Sequence, residues 1–248
     1  MSIMSMSNSA LNTALEDLVT ANRALANEQV LDGFGHISIR HPERADRYFL
    51  SRSRSPELVT TEDLLEFDLD SNPIDQRGRV MYAERPIHGE IFKARPDVNA
   101  VIHHHSHPVL TFCFSKAKLR PVFHMGGVIG REVPDWDIRD KFGDTNLLVV
   151  TPEQGADLAR ALGPNRIALL RRHGCVVVGK DLKQAVFTAV YSADNAKLQL
   201  AGMAAGGCEF LSDGEIDKSG GLLEMPVAIN RAWEYWARRA GFKTAVNA

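Results

Sequence analysis

The sequence predicts an α/β fold in which helices and strands form layers of one domain spanning residues 1–248. Segments with helical periodicity and segments rich in β-branched residues are mixed along the chain, without the strict alternation of a parallel βαβ protein. No linker divides the chain cleanly. The 248 residues are 44% hydrophobic and 24% charged, which is sufficient for a large apolar core.

The first half of the chain is predicted to begin with an amphipathic helix, because apolar residues recur there at three- and four-residue spacing. Residues 1–9 are expected to be flexible. A second helix is predicted from Pro86, since the first turn of a helix tolerates a missing N–H, and Arg95-Pro96 ends it. The predicted helices are 9–30 and 86–94, and the predicted strands are 36–39, 48–51, 79–82 and 98–105.

The second half contains a clear helix start at Thr151-Pro152-Glu153-Gln154, which matches an N-cap, an N1 proline and a capping-box partner. A segment rich in Gly, Ser and Asp at 212–221 is predicted to be a loop. A final helix contains Trp233 and Trp236. The other predicted helices are 152–162 and 182–203, and the predicted strands are 147–150, 167–170 and 175–178.

Composition argues for a small-molecule substrate. The formal net charge is −2 with basic residues scattered along the chain, so neither nucleic acid nor a membrane surface is an expected partner. The three cysteines are far apart and form no CxxC pair, which argues against disulfides or a thiolate zinc site. No signal peptide and no stretch of 18 apolar residues is present. A cytoplasmic protein is expected.

The histidine run at 103–105 suggests a metal site. On a strand, residues two apart face the same side, so His103 and His105 can converge on one cation while His104 points away. A third ligand from a turn between two strands is geometrically natural, and His173, followed by Gly174, is the candidate. Three histidines would leave a coordination position open for a substrate.

Glu84 lies at the N-terminal end of the helix that precedes this strand. A carboxylate near a cation can be a ligand or can move a proton. Each residue also has an ordinary interpretation. The histidines can be a surface or core run, and Glu84 can be a helix N-terminal acid stabilised by the helix dipole. Spacing alone therefore supports a metal site only weakly.

Four motifs occur in an order that matches a known family. They are Gly35-His36-Ile37-Ser38, then Glu84-Arg85-Pro86-Ile87-His88, then the run from Arg95 to His105, then His173-Gly174. Over residues 10–205 the chain resembles the class II aldolase/adducin family. The resemblance implies a three-layer α/β/α domain around a largely antiparallel sheet, and a homotetramer with active sites near subunit interfaces.

The resemblance also assigns roles to residues. It implies that His103, His105 and His173 bind a divalent metal ion and that Glu84 is the catalytic acid/base. Mn²⁺ and Zn²⁺ are the expected metals, with Co²⁺ or Fe²⁺ as alternatives, because imidazole ligands do not discriminate sharply among them.

The chain departs from the sugar-phosphate aldolases of this family at the phosphate-binding positions. Their "GN-S" and "SSE" segments correspond here to Gly35-His36 and Tyr82-Ala83-Glu84, so hydroxyl donors for a phosphate are lost. The segment 51–55 instead offers Arg52 and Arg54, whose guanidinium groups can bind a carboxylate bidentately. With its "YAER-IHGEI" and "FHMGG" segments, the chain is similar to the branch containing 3-hydroxy-2-methylpyridine-4,5-dicarboxylate 4-decarboxylase and related aromatic-acid decarboxylases.

The sequence therefore predicts a metal-dependent lyase that decarboxylates a hydroxylated aromatic or heteroaromatic (di)carboxylate in aromatic degradation. Aldol cleavage of a non-phosphorylated 3-hydroxy-2-keto acid or sugar derivative is the first alternative. An Fe(II) oxygenase and a non-catalytic adducin-like domain are further alternatives. The predicted substrate-binding residues, with Arg52 orienting a second carboxylate, are Arg52, Ser51, His36, His88 and His124.

Overall fold

The strands of the chain all join one sheet, as found in a computed structural model that describes residues 3–241. Their bounds are β1 His36–Arg40, β2 Arg47–Ser51, β3 Leu64–Asp68, β4 Ala100–His104, β5 Asp135–Trp136, β6 Ile167–Leu170 and β7 Gly174–Gly179. The helices are α1 Ile3–Asn27, α2 Arg85–Ala94, α3 His107–Phe114, α4 Arg139–Phe142, α5 Pro152–Leu162, α6 Leu182–Ala204, α7 Asp213–Leu223 and α8 Pro226–Arg239.

The strand order in the sheet is β3-β2-β1-β4-β7-β6-β5. Every neighbouring pair is antiparallel except β5 and β6, which are parallel. Strand β4 lies near the centre, with His103 opposite His36 of β1 and Val176 of β7. The predicted metal histidine is therefore held in the rigid middle of the sheet.

Helices cover both faces of the sheet, so the predicted three-layer α/β/α architecture is confirmed. Alternate residues of β4 belong to two separate apolar cores, as expected for the two-residue period of a strand. Ile102 packs in a core that includes buried residues of α1, α3 and α6. Val101 packs in the other core, with residues of α2 and α5. Both cores fix the position of β4.

Most predicted elements occur within a few residues of their expected bounds, including the capping box at Thr151. The first helix begins at Ile3, earlier than predicted. Residues 1 and 2, part of the segment 1–9 expected to be flexible, lie outside the described residues. Helix α1 includes the rest of that segment. No helix within residues 3–241 has both the length and the apolar content that crossing a lipid bilayer requires.

Two predicted strands are wrong. Residues 147–150 form no strand, because Leu147 has a positive φ of 70° and two following N–H groups donate to side chains: Val149 to Glu84, and Val150 to Gln154. The segment 79–82 contributes only an isolated bridge between Met81 and Arg52. In both places the residue pattern resembles a strand. At 147–150 two backbone donors have side-chain partners outside the sheet, and at 79–82 the N–H of Arg79 donates to the carbonyl oxygen of Gln76.

The predicted loop at 212–221 is also wrong, because most of it belongs to α7. The Ser212 side chain accepts a hydrogen bond from the N–H of Glu215, and the Glu215 side chain accepts one from the N–H of Ser212. This capping box starts a helix that buries Ile216 and Leu223. The Gly/Ser/Asp composition obscured a helix start that the Ser-x-x-Glu spacing would have indicated.

Candidate metal centre and active site

Three histidines meet at one end of β4, as the sequence predicted. We call His103, His105 and His173 the three-histidine cluster. The Nε2 atoms of His103 and His105 are 3.0 Å apart, and the ring centroid of His173 is 4.9 Å from that of His103. One nitrogen of each ring lies within 4.8 Å of the others. His104 faces the other side of the sheet, where its Nε2 is 3.0 Å from the Cys175 sulfur.

The turn between β6 and β7 brings His173 to this position. Arg172 adopts a left-handed φ of 61° within the turn, and the strand resumes at Gly174. A Cβ at Gly174 would lie 2.5 Å from the carbonyl oxygen of His104 and 2.7 Å from the His105 ring. Only glycine at position 174 allows β7 to approach His104 and His105 this closely.

Neighbouring groups orient the cluster so that ring nitrogens face inward. The Nδ1 atom of His103 lies 3.1 Å from the carbonyl oxygen of Cys175, which can only accept, so His103 carries its hydrogen at Nδ1 and a lone pair at Nε2. The Asp32 carboxylate lies 3.5 Å from Nδ1 of His105 and favours the same tautomer there. Partners of this kind are typical of metal-binding histidines.

The donor set fits a divalent metal ion. Burial lowers the pKa of His103 well below its ordinary value and that of His173 to about 4, so both rings are neutral and can act as ligands. With hydrogens at Nδ1, the two Nε2 lone pairs at 3.0 Å cannot hydrogen-bond to each other. A cation between them would remove this repulsion, and three neutral imidazoles leave a position open for a substrate.

Glu84 lies at the N-terminus of α2 and is 8% exposed. Its Oε2 atom is 3.7 Å from Nε2 of His103 and 3.6 Å from Nε2 of His173. Its Oε1 atom accepts a hydrogen bond from the N–H of Val149. Burial raises the pKa of Glu84 to about 7, an effect that the Val149 hydrogen bond opposes. Such a carboxyl group can hold or release a proton near neutral pH.

A cavity of about 620 Å³ adjoins the cluster. Its lining includes His105 and His173 of the three-histidine cluster, together with Glu84, His36 and Arg54. We refer to it below as the cavity. Its size is that of a small-molecule site.

Of the two predicted guanidinium groups, only that of Arg54 belongs to a residue that lines the cavity. Both arginines pair with the buried Asp63: Arg52 Nε lies 2.6 Å from Oδ1, and an Arg54 terminal nitrogen lies 2.7 Å from Oδ2. Neither Arg52 nor Ser51 is part of the lining; Ser51 is buried with its hydroxyl 3.5 Å from the Tyr82 hydroxyl. The carboxylate-binding role predicted for Arg52 therefore fits Arg54 better.

The three further histidines predicted to bind substrate lie in different environments. His36 lines the cavity, with its ring centroid 5.1 Å from that of His103. His88 is fully buried behind His36 and does not line the cavity. His124 is exposed at the start of a 3-10 helix, His124–Ile129, also outside the lining. The structure thus brings only His36 to the cavity.

Sequence reasoning missed several residues that shape this site. Asp32 was not singled out, although it faces His105 and accepts hydrogen bonds from the N–H groups of Phe34 and Gly35. Asp63 was not singled out, although it holds both arginines. Neither residue belongs to a motif of fixed spacing, so these contacts become apparent only once the chain is folded.

Comparison with known proteins agrees with the resemblance inferred from the motifs. Residues 16–200 match the family described as Class II Aldolase and Adducin N-terminal domain. The chain is 32% identical over 238 residues to "Decarboxylase tropJ" of Talaromyces stipitatus, covering 86% of this chain and 89% of that protein. It is 31% identical over 204 residues to the 3,4-dihydroxyphthalate decarboxylase of Arthrobacter keyseri, covering 78% and 80%.

Among solved structures, the L-fuculose 1-phosphate aldolase of Glaciozyma antarctica PI12 has the same fold. The TM-score is 0.79 at 23% identity, with 94% of this chain and 90% of that chain covered. The predicted family is thereby confirmed, and two of the similar proteins are named decarboxylases. The chain belongs to the class II aldolase and adducin family.

Proposed function

We propose that this protein is a metal-dependent decarboxylase of a hydroxylated aromatic or heteroaromatic carboxylate. Two decarboxylases to which the chain is similar support this reaction, and one of them is named for a dihydroxylated aromatic diacid. A second carboxylate on the substrate accords with Arg54 on the lining of the cavity.

The observation that carries the proposal is the position of Glu84. Its Oε2 faces two rings of the three-histidine cluster, while its Oε1 is held by the N–H of Val149. The carboxyl group is thus fixed beside the place where a metal-bound substrate would lie. A binding module without catalysis needs no buried acid at this point.

The residues that line the cavity have different roles in the proposed reaction. The three-histidine cluster would hold a divalent cation, which supplies electrostatic stabilisation for negative charge on a substrate oxygen. Arg54 binds a carboxylate that stays on the ring and so fixes the orientation of the ring. Asp63, in turn, restrains Arg54.

Glu84 completes the proton balance. When the bond between the ring carbon and the departing carboxylate breaks, carbon dioxide leaves and the electron pair remains on the ring system. Protonated Glu84 donates its proton to that ring carbon and becomes a carboxylate, and a proton from solvent then restores it. One proton is consumed for each carbon dioxide released.

The test is carbon dioxide release by purified protein loaded separately with Mn²⁺, Zn²⁺, Co²⁺ or Fe²⁺. The panel consists of aromatic and pyridine diacids with a hydroxyl group ortho to a carboxylate, and it includes 3,4-dihydroxyphthalate. We expect release from at least one acid, and none after treatment with a chelator. Release from no acid with any metal would contradict the proposal.

The same assays distinguish the alternatives. Aldol cleavage gives an aldehyde and a ketone product without carbon dioxide, and an Fe(II) oxygenase consumes dioxygen. An adducin-like domain turns over none of these compounds. Metal analysis of protein purified without added metal identifies the native cation among the four candidates.

The predicted homotetramer and cytoplasmic location belong to the same proposal. Light scattering of the purified protein measures the oligomeric state. Fractionation of the source cells, followed by immunodetection, measures the location.

A further inference from the structure

Behind the cavity, three buried side chains form a chain of hydrogen bonds. Nδ1 of His36 lies 2.7 Å from Nε2 of His88, and Nδ1 of His88 lies 2.6 Å from the hydroxyl oxygen of Ser38. All three residues are at most 1% exposed. His36 is the member that reaches the cavity.

The direction of this chain follows from the Ser38 hydroxyl. Among the described residues, its one hydrogen-bond partner is His88, and its full burial denies it solvent. A buried hydroxyl hydrogen without an acceptor is costly, so Ser38 donates to Nδ1 of His88. His88 must then carry its hydrogen at Nε2 and donate to Nδ1 of His36.

The neutrality of His88 supports this assignment. Burial lowers the pKa of His88 to about 3, so its ring carries one hydrogen rather than two at neutral pH. With Nδ1 of His36 accepting from His88, a neutral His36 carries its own hydrogen at Nε2. That nitrogen is the one left available to a molecule in the cavity.

We propose that Ser38 and His88 hold His36 in the Nε2–H tautomer, which gives the cavity a fixed hydrogen-bond donor and prevents His36 from binding the metal. Ser38 and His88 are positioning residues in this scheme. Under the proposed function, on which this last step rests, the His36 donor binds the substrate oxygen that gains negative charge as carbon dioxide leaves.

The proposal resolves an ambiguity in the metal site. A second group of possible ligands consists of His36, Glu84 and His103, whose ligand atoms also lie within 4.8 Å of one another. A ring nitrogen that carries a hydrogen has no lone pair for a metal. The metal is therefore assigned to the three-histidine cluster, and His36 remains a donor to the substrate.

Solid-state NMR of metal-free, ¹⁵N-histidine-labelled full-length protein tests the tautomer directly. The signals of His36 are assigned from their loss in His36→Gln. We expect a protonated Nε2 and an unprotonated Nδ1 for His36. The reverse pattern in the wild-type protein would overturn the proposal. Circular dichroism verifies that His36→Gln, which serves only for the assignment, is folded.

Ser38→Ala tests the role of the hydroxyl, with Ser38→Thr as the variant that restores it. We expect His36 to give signals of both tautomers in Ser38→Ala and of Nε2–H alone in Ser38→Thr. An unchanged single tautomer in Ser38→Ala would contradict the role of Ser38. Circular dichroism verifies that each variant is folded.

Addition of Zn²⁺ tests the exclusion of His36 from metal binding. We expect Nε2 signals of the three-histidine cluster to shift while Nε2 of His36 keeps its hydrogen; loss of that hydrogen on Zn²⁺ binding would overturn the proposal. None of these measurements requires turnover. Failure to release carbon dioxide would therefore reject the proposed function while leaving the His36 tautomer separately established or refuted.

Discussion

The N–H of Val149 donates a hydrogen bond of 2.9 Å to Oε1 of Glu84 and leaves Oε2 directed at His103 and His173. This contact joins a non-strand segment to the N-cap residue of α2 across 65 positions of sequence. The hydrogen bond holds the buried side chain of Glu84 in one rotamer. Its Oε1 atom anchors the side chain, and its Oε2 atom faces the three-histidine cluster.

Glu84→Gln should remove turnover and keep the metal. The amide oxygen can still accept from Val149, so the fold and the three-histidine cluster should persist, but the amide cannot deliver a proton. We expect carbon dioxide release to fall by at least about 100-fold, the usual loss for a general acid, with unchanged metal content by mass spectrometry.

Glu90→Gln is the matched control, since Glu90 is a nearly buried glutamate of the same helix that pairs with Lys93 at 2.6 Å. It should keep nearly full activity. Equal activity of Glu84→Gln and the wild-type protein would contradict the role given to Glu84.

The sequence was informative about the cluster because strand periodicity is a local property. Once 98–105 is assigned as a strand, His103 and His105 must share a face, and an Arg-His-Gly turn between two strands can reach it. The family motifs then fixed the order of Glu84 and the three histidines. These assignments depend on the spacing of residues and on the order of motifs along the chain, and both can be read directly from a sequence.

The contacts that could not be predicted from the sequence are those that loop residues make with the site. Strand β2 ends at Ser51, so the course of the loop that follows it decides which of Arg52 and Arg54 faces the cavity. Asp63 pairs with both arginines, but only Arg54 lines the cavity. Asp32 contacts the site with its carboxylate and Val149 with its N–H group. Both residues lie in loops, whose course depends on the packing of the whole domain.

Arg54→Gln should weaken substrate binding, whereas Arg52→Gln should not. Both arginines pair with Asp63, but only Arg54 lines the cavity. Loss of a charge-assisted hydrogen bond to the substrate should raise KM by about 10-fold to 100-fold in Arg54→Gln. Steady-state kinetics on the acid identified by the panel provide the measurement, and a similar rise of KM in both variants would contradict this distinction.

Asp32→Asn should weaken metal binding. The Asn side-chain oxygen can still accept from the N–H groups of Phe34 and Gly35, at 2.8 and 3.0 Å in the present structure, but the negative charge beside Nδ1 of His105 is lost. Loss of such a partner usually lowers metal affinity by about 10-fold to 100-fold. Calorimetric titration with Zn²⁺ provides the comparison with the wild-type protein.

Asp75→Asn is a suitable control for that experiment. Asp75 accepts a hydrogen bond of 3.1 Å from the N–H of Arg77, so it is also a turn aspartate, but it is not part of the cavity lining. Its substitution should leave Zn²⁺ affinity unchanged. If Asp32→Asn bound Zn²⁺ as tightly as Asp75→Asn, the carboxylate would have no part in orienting His105.

Asp63 should make the stability of the protein depend on pH in the acidic range. Burial opposes its charge, but the Arg52 hydrogen bond and the hydrogen bonds from Thr60, together with the charge of Arg54, lower its pKa from 3.8 to about 2. Because the folded-state pKa is the lower one, the contribution of Asp63 is fully present above about pH 4 to 5 and is lost as the pH falls toward 2. Its size should be about 2 kcal/mol.

Urea unfolding of the wild-type protein and of Asp63→Asn at several pH values measures this contribution. The difference in free energy of unfolding should be constant from about pH 7 to pH 5 and should shrink below about pH 4, as the unfolded-state carboxyl becomes protonated first. Asp137→Asn is the control, because Asp137 approaches Arg171 only to 3.8 Å. A difference for Asp63→Asn that stayed constant down to pH 3 would mean that the arginines do not stabilise the charge of Asp63, and the positioning of Arg54 would then need another cause.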